Sequence, residues 1–125
     1  MRHLAGLPLL IALSACGGST PSGPGTPPPT NPNRFTITPT GVTPKELTVP
    51  PGTRVLFINN DTRRRNMTSD PHPEHNECPE INDVGLLNAG ASRETGNLVA
   101  VRTCGFHDHD DPNNTSVNGR IIIRP

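Results

Sequence analysis

The segment from Gly17 to Asn33 reads GGSTPSGPGTPPPTNPN; it holds six prolines and four glycines, and outside those two types no apolar residue. Such a stretch cannot bury enough surface to offset the entropy of ordering it, so it is expected to be an extended, semi-flexible spacer. It divides the 125-residue chain into a short leader and a stretch from 34 to 125 that is long enough for one modest core. The 11 basic side chains balance 11 acidic ones and only 2% of residues are aromatic. That composition argues against a nucleic-acid binder, which needs a basic face or aromatic stacking platforms.

The leader, Met1 to Cys16, has a short basic start, an apolar run and then small residues, which is the pattern of a secretory signal peptide. The run is too short to span a bilayer as a mature anchor. Its end, Leu13-Ser14-Ala15-Cys16, resembles the lipobox of bacterial lipoproteins, in which the chain is cut before the cysteine and the thiol is lipidated. The alternative is an ordinary export signal with an incidental thiol at Cys16. The resemblance implies a signal peptide over 1–15, a lipidated Cys16 with a disordered linker over 16–33, and a domain over 34–125. It places that domain on the exported side of a bacterial cell envelope, lipid-anchored to a membrane. Thiols there tend to pair or to bind metal.

Within 34–125, seven valines, six isoleucines and five leucines stand against three alanines and one lysine. Side chains branched at Cβ are stiff in helices and fit a pleated surface, so strands are favoured. Phe35 and Ile37 alternate with threonines, and Leu47 and Val49 flank Thr48. Pro50-Pro51-Gly52 turns into the apolar run Arg54 to Asn59, and the runs Leu98 to Cys104 and Ile121 to Ile123 follow, the latter after Asn118-Gly119. No stretch shows capped helical periodicity. The fold class expected is all-β, a sandwich with long loops at 60 to 83 and 105 to 118.

Those loops carry the unusual chemistry. His72, His75 and Cys78 recur at intervals of three in one, and Cys104, His107 and His109 crowd the other. All four histidines of the domain and both of its cysteines lie in these two segments. Imidazole and thiolate suit copper or zinc, and loops at one end of a sandwich can bring them together. Asp70, Glu74, Glu77, Asp108, Asp110 and Asp111 make both segments acidic, which suits a bound cation and equally a solvated surface. Arg63-Arg64-Arg65 reads as a solvated, locally paired turn. No serine or cysteine nucleophile is placed with the Asp–His pairs by any recognised motif, so a binding role is expected rather than an enzyme.

The runs Leu47 to Asp61, Cys104-Gly105-Phe106-His107 and Gly119 to Ile123, in that order and spacing, resemble the cupredoxins, the family of plastocyanin and related blue-copper proteins. The resemblance covers nearly all of 34–125 and implies a Greek-key β-sandwich, a copper cofactor and a redox or metal-donor protein as partner. Matched residue by residue, it makes Cys104 the thiolate ligand and His107 the second histidine of a trigonal copper site. Two positions depart from the family's pattern: Arg65 stands where the first histidine is expected, and no methionine follows His107. An always-protonated guanidinium cannot ligate a metal.

The cysteines therefore leave several readings open. Cys78 and Cys104 could form a disulfide, leaving His72, His75, His107 and His109 to an all-imidazole site for copper or zinc. Cys104 and His107 could instead remain ligands and recruit His72 or His75. The corresponding functions are electron transfer or metal handling at the envelope. The alternative is a metal-free, disulfide-stapled binding or structural module.

Overall fold

The structure, a computed structural model, describes residues 31–125. Nine strands run in order: β1 (Arg34–Thr38), β2 (Gly41–Thr43), β3 (Glu46–Val49), β4 (Leu56–Asn59), β5 (Arg65–Ser69), β6 (Gly85–Leu87), β7 (Ser92–Glu94), β8 (Arg102–Asp108) and β9 (Gly119–Ile123). They form a four-stranded sheet in the order β2-β1-β4-β7 and a five-stranded sheet in the order β3-β9-β8-β5-β6. Single 3-10 turns at Pro79–Asp83 and Thr115–Val117 are the helical elements among the described residues. No helix among those residues is long and apolar enough to cross a membrane. The expected signal peptide and Cys16 fall outside the described residues, as does most of the spacer.

The all-β sandwich expected from the β-branched runs is the fold observed. Alternation decides which side chains enter the core: Phe35 and Ile37 of β1 point in between exposed or half-buried neighbours, as do Ile121 and Ile123 of β9. Phe35 and Phe57 from one sheet meet Phe106 from the other, with ring centroids 4.7–5.1 Å apart. Each such pair is worth about 0.5–1.5 kcal/mol beyond the area it buries, so these three rings join the two sheets. The core closes around them with Met67, Val49, Val55, Ile81, Leu87 and Leu98.

Three sequence expectations are corrected. The segment 60 to 83 is not one long loop, since Arg65 to Ser69 form β5, with Arg65, Met67 and Ser69 buried on alternate positions. Its inward residues are partly polar, which hides the period from a hydrophobicity count. The strand expected at Leu98 to Cys104 begins only at Arg102 and continues to Asp108, so His107 belongs to a strand and not to a loop. Leu98 makes an isolated bridge to Thr53, while Val99 and Val101 are exposed. The arginine run is not wholly solvated either. Arg65 is 2% exposed.

The charge on Arg65 is tolerated because it is fully paired. Its Nη2 donates to Asp61 Oδ2 at 2.6 Å and its Nη1 to Asp108 Oδ2 at 3.1 Å. Asp61 also accepts the Thr62 amide, and Asp108 Oδ1 accepts the amides of Asn66 and Asp110. The network locks the turn after β4 to the ends of β5 and β8. Hydrogen bonds from Arg65, then from the Thr62 and Arg63 amides, hold the Asp61 carboxyl below the usual aspartate range against the opposing effect of burial.

A disulfide joins Cys78 to Cys104, with Cα atoms 5.7 Å apart and both side chains fully buried. It ties the end of the 70–78 loop to the middle of β8.

Two outcomes follow for stability. Arg65→Met leaves two buried carboxylates without the cation they share and is expected to cost about 3–5 kcal/mol in chemical denaturation. The depressed Asp61 contributes stability that is present above the ordinary aspartate pKa and lost as pH falls through the lower, folded value. Acid unfolding of Asp61→Asn, followed by circular dichroism, should accordingly show a shallower loss of stability below pH ~4 than the parent chain.

Candidate metal centre

On an extended strand, residues three apart face opposite sides of the sheet. Cys104 and Phe106 of β8 point into the core, so His107 points outward. The pairing of Thr68 with His107 puts that outer face over β5 and β8. His109 follows in the same register, its amide bonded to the Asn66 carbonyl. The chain leaving β5 then folds back over this face, bringing His72 and His75 onto it and burying His107 to 3% exposure. One ligand nitrogen from each of His72, His75 and His107 lies within 4.8 Å of the others. The histidines thus meet on the outer face of the five-stranded sheet, where β8 gives way to the turn carrying His109.

Two consecutive residues at the end of β5 aim the rings. Asp70 Oδ1 lies 2.5 Å from His107 Nδ1. The Ser69 carbonyl lies 2.8 Å from His75 Nδ1. A carbonyl can only accept, and the carboxylate accepts when ionised, so both Nδ1 atoms carry a proton and, in the neutral rings, both Nε2 atoms present a lone pair. This is the arrangement that orients metal-binding histidines and raises their basicity. Asp70 reaches its place because residue 105 is glycine: a Cβ there would collide with the Asp70 carboxylate.

His75 is held from several sides. Its backbone adopts a left-handed conformation, φ 52°, uncommon for a residue with a side chain. Its amide donates to the Pro71 carbonyl at 2.7 Å, and its carbonyl accepts from Asn82 Nδ2 at 2.8 Å. Asn82 Oδ1 in turn accepts the Ser69 amide at 2.9 Å, so one side chain clamps the loop to its strand. His72 is exposed. Desolvation, followed by the neighbouring His109, His107 and His75, lowers its pKa, while Glu74 opposes them. That favours the neutral, ligating form of the ring.

Of the other two expected ligands, His109 lies beside His75, its Nδ1 2.8 Å from His75 Nε2, but outside this group of three, and Cys104 does not join the site. Cys104 is oxidised to the Cys78 disulfide and faces the core, so it offers no thiolate. Arg65, at the position where the first histidine was expected, is committed to Asp61 and Asp108. Met67 is fully buried among core residues on β5. These residues do not fit a blue-copper centre, which needs a thiolate, two imidazoles and an axial ligand. Of the acidic neighbours, Asp70 supports His107, Glu77 accepts the Gly105 amide at 3.1 Å, and Asp108 belongs to the Arg65 network. Sequence reasoning did not find Ser69, Asn82 and Gly105 as supports. The Ser69-Asp70 pair just ahead of the histidine loop is the one local signal that could have pointed to them.

No protein-family model matches the sequence, and no curated protein does. Solved structures of similar shape are cupredoxins. A purple cupredoxin from Nitrosopumilus maritimus is 17% identical, with 73% of this chain and 98% of that one covered and a TM-score of 0.56. Oxidised plastocyanin from Dryopteris crassirhizoma is 15% identical over 73% of this chain and 99% of its own, with a TM-score of 0.56. Reduced auracyanin from Roseiflexus castenholzii is 17% identical over 74% and 95%, with a TM-score of 0.54. At these identities the likeness concerns the fold. The described domain is a cupredoxin-like β-sandwich.

Proposed function

We propose that this chain is an exported metal-binding protein of the bacterial cell envelope, which holds copper or zinc on His72, His75 and His107. The observation that carries this reading is the convergence of three imidazole nitrogens within 4.8 Å, with the far nitrogens of His75 and His107 already engaged by Ser69 and Asp70. Unsupported surface histidines have no reason to be oriented in this way.

The role is metal capture or hand-off to a metal-donor or acceptor protein, rather than electron transfer. Rapid electron transfer in this fold is associated with a copper–thiolate bond, and the thiol that would make it is spent on the disulfide. When bound, the metal supplies a Lewis-acidic cation. The chain supplies orientation through Ser69 and Asp70, and partial shielding from water through the 70–78 loop. Lipid on Cys16 and the spacer that follows would keep the domain near a membrane while letting it move relative to the surface. The disulfide also favours a second reading, in which the stapled domain is a metal-free binding module.

Desalted parent protein, supplied with Cu(II) or Zn(II), is expected to retain one ion per chain without an intense blue absorption. Asp70→Asn should weaken retention by about 10- to 100-fold, since it loosens the orientation of His107 without removing a ligand. A parent protein that retains no metal overturns this reading and leaves the stapled module. In cells, Cys16→Ser should move the protein from the membrane fraction to the soluble exported fraction. Unchanged membrane association would refute the lipid anchor.

A further inference from the structure

We infer that the site is a closed, four-coordinate, all-imidazole centre for Zn(II), with His109 as its fourth ligand. This rests on the reading that the histidine cluster binds metal, and goes beyond it in naming the fourth ligand, the geometry and the ion.

His109 Nδ1 lies 2.8 Å from His75 Nε2. His75 gives its Nδ1 proton to the Ser69 carbonyl, so in the neutral ring its Nε2 accepts and the proton in this contact belongs to His109. The lone pair that would face a metal is thus occupied by a neighbouring ring's N–H. For a metal to be held there, that hydrogen bond would have to open, and His109 would carry its proton on Nε2 and offer Nδ1 as a ligand. No net proton leaves the neutral ring, and no redox step is involved.

Five of the six ring pairs are in contact, His107 and His109 being the exception, and those five separations favour one geometry. With metal–nitrogen bonds of about 2.0–2.1 Å directed along each ring, the ring centres of a tetrahedral complex lie about 5.2 Å apart. In a square plane, adjacent rings would lie about 4.5 Å apart and opposite rings about 6.4 Å apart. His72 lies 5.3 Å from His75, 5.4 Å from His107 and 5.1 Å from His109. His75 lies 5.0 Å from His107 and 4.8 Å from His109. A square plane of four rings contains two opposite pairs, so at least one of these five distances would have to be near the longer value. None is.

A tetrahedral set of nitrogens suits Zn(II), which has no geometric preference of its own, and works against the tetragonal preference of Cu(II). Cu(I) prefers sulfur. The sulfurs of the described domain are out of reach, Met67 in the core and both cysteines in the disulfide. The frame resists distortion toward a plane, since His107 rides on a central strand and the loop is clamped by Asn82 and the disulfide. Four protein ligands leave no open position, which is the mark of a holding site rather than a hydrolytic one.

X-ray absorption at the zinc edge of the loaded parent chain is expected to show four nitrogen neighbours at about 2.0 Å. Co(II) in place of Zn(II) should give the strong visible bands of a four-coordinate ion. His109→Ala and His109→Gln should each lower Zn(II) affinity by at least about tenfold, at unchanged metal-free thermal stability, and weaken the Co(II) bands. Variants that bind Zn(II) as tightly as the parent overturn the assignment of His109. A six-coordinate Co(II) spectrum in the parent overturns the geometry. Both results leave metal binding standing, whereas a parent that binds neither ion removes the reading beneath. The absorption measurement on the parent needs no variant, so it tests the coordination number even where a substitution fails to fold.

Discussion

The bond between Cys78 and Cys104 couples the histidine loop to the sheet that carries the other half of the site. The loop from Asp70 to Cys78 has two prolines and no strand of its own, so little in its sequence would confine it. With its ends 26 positions apart, closing this link in the unfolded chain removes entropy worth about 3.5 kcal/mol. Around it the loop adds short polar contacts. Asp70 and Gly105 pair through their backbones, Glu77 takes the Gly105 amide, and the Cys78 amide donates to Ser69 Oγ. The covalent link and these bonds together let four flexible rings share one small volume.

A second constraint acts at the interior end of the sandwich. Arg65 and Asp108 occupy inward positions on neighbouring strands, where an apolar pair would ordinarily close the core. A buried ion pair seldom adds stability over a well-packed apolar substitute, and its better-attested use is to fix a register. Here Asp108 stands between His107 and His109. By accepting the Asn66 and Asp110 amides as well as the Arg65 guanidinium, it fixes where β8 ends and the turn carrying His109 begins. The charge network and the histidine cluster thus lie on opposite faces of one strand pair and constrain the same backbone.

The sequence disclosed the fold class because its β-branched runs have no helical competitor. It disclosed the cluster because four histidines fall in two short segments. The detail was lost where polar residues take structural roles. β5 buries an arginine and a serine, so its alternation is invisible to a count of apolar residues. The Cys104-x-x-His107 spacing suggested joint ligation, yet ligands three apart can meet only if the strand ends between them. Here it runs on to Asp108 and sends the two side chains to opposite faces. Ser69 and Asn82 act through a carbonyl and an amide, and no residue pattern announces such contacts before the chain is folded.

The rings differ in their access to water, His109 being half-buried. His107 is buried, His75 is half-buried, and His72 is exposed. Exchange at a metal centre built on them would be anisotropic. Were an ion held there, a competing donor from another protein would approach most easily from the side of His72, so that imidazole would be displaced first and the buried His107 last. Transfer of the ion would then follow a stepwise associative path with a fixed order of ligand substitution. The rate of delivery would depend on how closely a partner can reach one exposed side chain, and the tightness of storage on the rings beneath it.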